Sequence, residues 1–176
     1  MSWLLLLIGK ENKKMESKIC TRELQEKDIP AVCGLYEQLF LEQTQRGYPF
    51  SLNLHDLPSL LKLFIRSPMY KVYVAVTNID GEECVVGYAT GILRPVEKLY
   101  EGGGNKGYVS TAYLMKEHRG GGAADLLLDQ LEDWFKASGT RLIELDVMIG
   151  NVLGRRYWKK RGYQELEIRM IKSQDV

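Results

Sequence analysis

Two spacings of apolar side chains alternate along the chain and divide it into elements. Ile19-Cys20-Thr21-Arg22 reads as a short strand. Asp28, followed by Ile29 and Pro30, marks a helix start with an acidic N-cap and proline at the second helical position. Val32, Leu35, Tyr36, Leu39 and Phe40 then follow at helical spacing, and Gly47-Tyr48-Pro49 ends the run. Leu57–Arg66 predicts a second helix, with Leu60, Leu61 and Phe64 on one face and Ser67-Pro68 as its stop. Period-two patterning takes over at Val72, Val74 and Val76. Asp80-Gly81 turns the chain into a return strand, 85–93, which completes a hairpin. A glycine-rich loop over 94–107 precedes a strand at 108–114. After Gly120-Gly121-Gly122, Leu127, Leu128, Leu131, Trp134 and Phe135 define an amphipathic helix ended by Gly139. A strand at 142–147, a short basic helix opened by Asn151 and stopped by Gly162, and a last strand at 163–171 complete the order. That order, β-α-α-β-β-β-α-β-α-β, predicts an α/β domain with a mixed sheet flanked by helices.

At 176 residues the chain suits one domain with a sizeable core and no need of metal or disulfide staples. Its 24 Lys and Arg against 23 Asp and Glu exclude recognition of nucleic acid through a broad basic face, but leave room for a local anion site. Cys20, Cys33 and Cys84 are far apart, no CxxC pair exists, and only His55 and His118 are present, so no metal site is expected. Free thiols of this kind fit a reducing, cytoplasmic setting. Trp3–Ile8 is a run of six apolar residues. That is short of the ~20 a membrane span requires, and neither basic residues before it nor a small-residue cleavage site after it mark a signal peptide. Residues 1–17 are read as an extension, with the domain occupying 18–176.

The unit that carries chemistry is the strand at 108–114, then Arg119-Gly120-Gly121-Gly122-Ala123-Ala124, then a helix. Glycines let the backbone bend and let a ligand approach. The amides of a helix's first turn are unpaired, and the positive end of its dipole favours an anion. Arg119 adds a fixed charge. A Walker loop would require Lys followed by Ser or Thr, which is absent. A dinucleotide-binding fingerprint lacks its third glycine, since Asp125 stands there, although Glu144 and Asp146 lie at roughly the distance of its acid. By themselves, three glycines also fit a turn that merely packs a helix on a sheet.

Arg119-x-x-Gly122-x-Ala124 fits [R/Q]-x-x-G-x-[G/A], and the chain resembles the GCN5-related N-acetyltransferases. The string Tyr113–Gly120 resembles that family's strand-to-helix junction. Leu145-Asp146-Val147, Asn151 and the run Tyr157–Tyr163 resemble its second signature. The likeness spans residues 19–172. It implies acetyl-CoA as acyl donor, with no metal. The backbone of Ala112, Tyr113 and Leu114 would pair with the pantetheine arm like an added strand. Arg119 and the amides of Gly120, Gly121, Gly122, Ala123 and Ala124 would hold the pyrophosphate, and Asn151 would bond the pantetheine region or cap its helix.

The implied reaction is direct attack of a primary amine on the thioester, which calls for a base and for release of the thiolate. Tyr108 stands where several members carry a catalytic Glu. In another branch, resembling the ribosomal-protein N-terminal acetyltransferases, the base lies in the strand before the Asn. That position is Asp146 here, with Glu144 on the same face. The family's usual Tyr, seven residues after the Asn, is Trp158, whose indole packs against cofactor but supplies no proton. Tyr157, one residue earlier, is the fallback acid. A thiol with a reference pKa of about 8.5 can also leave to water. Tyr36, Glu37, Phe40, Glu42, Tyr48, Phe50 and Tyr100 would line the acceptor groove. The acceptor would be a metabolite, an antibiotic amine or a peptide amino terminus, with neither nucleic acid nor membrane as partner. Exposed sheet edges are consistent with a homodimer. A module that binds acyl-CoA without turnover is the competing reading.

Overall fold

The computed structural model describes residues 18–97 and 103–172. The extension at 1–17, and Tyr100 and Gly102 of the glycine-rich loop, lie outside the described residues. Five strands form one mixed sheet in the order β1 (Cys20–Glu23), β2 (Tyr70–Ile79), β3 (Glu82–Pro95), β4 (Asn105–Leu114), β5 (Ile143–Leu145). All neighbours run antiparallel except β4 and β5, which are parallel. The β2–β3 hairpin turns at Asp80 and Gly81, with φ of 53° and 92°, and the Gly81 amide donates to Asn78 Oδ1 at 2.9 Å. Both central residues are left-handed, the geometry that suits the twist of a two-residue hairpin.

Helices α1 (Ile29–Gln45) and α2 (Leu57–Arg66) cover one face of the sheet, and α3 (Ala123–Ala137) covers the other. The first core packs Val32, Leu35 and Tyr36 of α1 and Leu57, Leu61 and Phe64 of α2 on Val72, Val74, Tyr88 and Tyr113. The second packs Leu127, Leu128, Leu131 and Phe135 of α3 on Ala75, Val86, Ala89 and Val109, with Tyr157 and Trp158 of α4 (Val152–Lys160) at its margin. Two strand glycines set the approach of α3. A Cβ at Gly91 would lie 2.5 Å from Leu131, and one at Gly107 2.7 Å from the Phe135 ring. Any side chain there would push the helix off the sheet.

Two expectations are corrected. Asp28 does not cap α1. Its carboxylate closes a preceding 3₁₀ turn, Glu26–Asp28, by accepting from the Gln25 amide at 2.9 Å, and it takes both arms of Arg22 at 2.6 and 2.9 Å. A short acid beside a free guanidinium is drawn to the stronger, charged donor. The last strand is also not formed, because 163–172 joins no ladder among the described residues. Its period-two pattern is present, but a strand forms only against an edge, and β5 offers just three residues.

A candidate acetyl-CoA site where the sheet splits

β4 pairs with β3 along its length, but with β5 only at Gly107, Tyr108 and Val109. Beyond that point β5 ends while β4 runs on to Leu114, so the side of 110–114 that faces away from β3 has no strand partner among the described residues. A bulge sits at the vertex. Thr111 pairs with Thr90 and Val109 with Gly91, leaving Ser110 extra. The extra residue resets which face each side chain meets. Gly107 and Val109 before it face α3, as do Ala112 and, in the same core, Leu114 after it. Thr111 and Tyr113 face α1.

Past β4 the chain makes a 3₁₀ turn, Lys116–His118, and enters the glycine run. Gly120 and Gly122 take φ of 87° and 84°, and nothing lies within 4 Å of where a Cβ at Gly120, Gly121 or Gly122 would stand. The first backbone bond of α3 runs from the Leu126 amide to the Gly122 carbonyl at 3.1 Å. Among the described residues no acceptor takes the amides of 120–125. The predicted cradle is therefore open space lined by unspent donors at a helix N-terminus, which fits a pyrophosphate.

Arg119 is held more tightly than the sequence suggested. Its Nε donates to the Leu114 carbonyl at 2.7 Å, and Nη2 meets Glu42 of α1 at 3.2 Å. Glu42 also accepts from Tyr113 Oη at 3.1 Å and pairs with Lys116 at 3.8 Å. Burial pushes the Glu42 carboxyl up, but the Tyr113 bond and the charges of Arg119 and Lys116 outweigh it and hold it below the usual range. Glu42, read as a groove residue, thus ties α1 to Arg119 and the glycine run. Glu37 is exposed, while Phe40, Tyr48 and Phe50 form an edge-to-face aromatic chain, with centroids 6.0 and 5.5 Å apart, at the end of α1.

Asn151 caps α4, its Oδ1 accepting from the Gly154 amide at 3.1 Å. A Cβ at Gly154 would stand 2.5 Å from Asn151 Nδ2, so the glycine makes room for the cap. The Tyr157 hydroxyl donates to Asp125 Oδ1 at 2.7 Å, in the first turn of α3. Burial, and then that carboxylate, push the Tyr157 hydroxyl well up from its ordinary value. Trp158 stacks edge-to-face between Tyr157 and Tyr163, at 5.5 and 5.2 Å. Arg161 meets Asp125, Asp129 and Glu132 of α3 at 3.0, 2.8 and 3.0 Å, which fixes α4 against the cradle helix.

On the other side of the vertex Tyr108 Oη donates to Asp146 Oδ2 at 2.9 Å, and Arg169 meets the same oxygen at 2.8 Å. Asp146 Oδ1 has no contact among the described residues. Burial and the Asp146 carboxylate raise the Tyr108 hydroxyl, so it stays a donor at neutral pH, while Arg94 lies 3.2 Å over its ring. Glu144, the alternative base, is spent on Lys106 at 2.8 Å. Sequence reasoning missed a buried cluster nearby. The Tyr36 hydroxyl bonds both Thr90 and Thr111, at 3.0 and 2.8 Å, and its ring stacks on Tyr88 at 4.4 Å. These partners are 54 and 75 residues from Tyr36, which the sequence offered as a helix-core and groove residue with no hint of either bond.

The sequence profile of the acetyltransferase (GNAT) family matches residues 33–163, and the chain belongs to this family. It is an acetyl-CoA-dependent acyltransferase. An uncharacterized N-acetyltransferase of Methanocaldococcus jannaschii is 31% identical over 148 residues, covering 84% of this chain and 79% of that protein. Among solved structures, a predicted acetyltransferase of Clostridium acetobutylicum with acetyl-CoA aligns with a TM-score of 0.71 at 20% identity, over 89% of this chain and 96% of that one. The aminoglycoside N-acetyltransferase AAC(6')-Iy in complex with CoA aligns at 0.71 and 16%, over 91% and 97%. Both share this fold. Among the described residues no helix is long and apolar enough to cross a membrane, and no cluster of His, Cys, Asp and Glu could hold a metal.

Proposed function

We propose that the protein acetylates a primary amine by direct attack on acetyl-CoA. The observation that carries this reading is the divided vertex of the sheet. The unpaired edge at 110–114 and the open cradle lie on one side, and a carboxylate with one uncommitted oxygen lies on the other. Bound acetyl-CoA supplies the activated acyl group. Ala112, Tyr113 and Leu114 would pair along the pantetheine, the amides of 120–124 with Arg119 would hold the pyrophosphate, and Asn151 and Trp158 would border the arm.

Asp146 Oδ1 would take the amine proton, with Tyr108 and Arg169 fixing the carboxylate through Oδ2. Its separation of roles between two oxygens favours it over Glu144, which is ion-paired. The leaving thiolate takes its proton from water, because the Tyr157 hydroxyl is committed to Asp125 and holds its proton tightly. The acceptor would enter over the face bearing Tyr36, Phe40 and Tyr108. A thiol-release assay with acetyl-CoA and a panel of metabolite, aminoglycoside and peptide amines tests the reading. Acetylated amine with stoichiometric CoA is expected. Tight CoA binding without turnover on any amine would overturn it in favour of a binding module.

A further inference from the structure

Beside Asp146 the sheet carries more positive charge than its own carboxylates answer. Leu93, Gly107 and Val109 lie against α3, so Arg94, Lys106 and Tyr108, one residue away along each strand, stand on the opposite face. There Arg94 and Lys106 are direct cross-strand partners. Two like charges so placed repel each other and weaken the pairing. Lys106 is relieved by Glu144 at 2.8 Å. Asp146 takes Arg169 at 2.8 Å and the Tyr108 hydroxyl at 2.9 Å, both through Oδ2. Three cations thus share two carboxylates, each carboxylate is engaged by a cation other than Arg94, and no carboxylate pairs with Arg94 among the described residues.

Arg94 is nevertheless held in place. It is half-buried, and its Cζ lies 3.2 Å over the Tyr108 ring. A guanidinium stacked on an aromatic face keeps its N–H groups in its own plane, directed outward, where they match the two oxygens of a carboxylate. The hydroxyl of the same ring holds Asp146, so one phenol sets the guanidinium and the proposed base at a fixed separation. We infer that Arg94 binds a carboxylate of the acceptor, and that the acceptor is an amino acid or a similarly short amine bearing its own carboxylate. The inference rests on the acetyl-transfer reading, in which the amine is delivered to Asp146 Oδ1. The phenol between the two groups limits amine and carboxylate to a few bonds apart. A polycationic amine would meet the charges of Arg94 and Lys106 and be repelled by them.

Turnover with acetyl-CoA tests this on alanine, β-alanine and γ-aminobutyrate, each against its own amide, and on a polycationic aminoglycoside. At one chain length or more, kcat/KM for the acid should exceed that for the amide by about tenfold or more, the worth of hydrogen bonds to a charged group. Arg94→Gln should bring the acid down to the level of its amide. Arg94→Lys should restore part of the preference, since an ammonium keeps the charge without the fork. Circular dichroism and CoA binding check that both variants fold. An amide used as well as its acid at every length overturns the inference, as does a preference that survives in Arg94→Gln or a faster reaction with the aminoglycoside. Each of these results leaves acetyl transfer itself standing. If no amine turns over, calorimetry of N-acetylalanine, N-acetyl-β-alanine and their amides on the CoA complex decides. An acid bound more tightly than its amide in the unaltered protein, but not in Arg94→Gln, upholds the carboxylate site while the acetyl-transfer reading falls. Equal affinities overturn the site.

Discussion

At Gly122 the backbone holds φ of 84° with nothing within 4 Å of the missing Cβ, and α3 begins on the next residue. A side chain there is strained and intrudes on the space the pyrophosphate would fill. Gly122→Trp should weaken CoA binding at least tenfold by calorimetry. Strain in the left-handed region costs about 1–2 kcal/mol, so circular dichroism should still show a folded chain. The proposed role of Asp146 makes a second prediction at this scale. General-base catalysis contributes about 10²–10⁴-fold. Asp146→Asn should therefore cut kcat by about 10²-fold while leaving the CoA Kd within twofold, and an unchanged kcat would return the proton to water or to Glu144.

Among the elements, α4 is positioned by what it gives to α3. Tyr157 and the C-cap residue Arg161 both reach Asp125, and Arg161 continues to Asp129 and Glu132, so the end of α4 grips about two turns of α3. Tyr157→Phe should lower stability by about 1 kcal/mol, the net worth of one hydrogen bond, in a urea titration. Its kcat should remain within about threefold of wild type, whereas a tenfold loss would make Tyr157 the acid. The amphipathic run of α3, the hairpin at Asp80-Gly81 and the Asn151 cap were all legible, because their signals are local in sequence. Asp28 was misjudged because its ligand, Arg22, lies on another element. The strand at 163–171 was misjudged because alternation reports a face to bury without reporting an edge to pair with. The open turn at the head of α3 was legible from its glycines, although glycines alone do not separate a cradle from a packing turn. The fixing of Arg119 by Glu42, 77 residues away, was not.

Across the whole molecule, the carboxylates of Asp28, Glu42 and Asp125 tie together elements distant in sequence, and this predicts a direction of pH sensitivity. Burial raises the Asp28 carboxyl, but the Arg22 fork, the Gln25 amide and Lys27 outweigh it and hold it below the usual range. Glu42 and Asp125 are lowered too, the latter first by Tyr157. A carboxyl depressed in the folded state binds fewer protons there than when unfolded. Its contribution is present above about pH 4 and lost as pH falls below that. Tm should therefore stay level from pH 7 to 5 and fall from 4 to 3. Asp28→Asn should lower Tm at pH 7 and flatten that decline, and an undiminished slope would discount this carboxyl.

The extra residue in β4 gives the strand two phases. Ahead of Ser110 the residues with even numbers look toward α1, and behind it those with odd numbers do. The bulge thus spends one residue on shape rather than on alternation. Removing Ser110 alone would join Val109 to Thr111 and restore plain pairing, with Tyr113 still toward α1 and Ala112 and Leu114 still toward α3. Both cores would survive that deletion, and what would be lost is the local bend where the sheet divides.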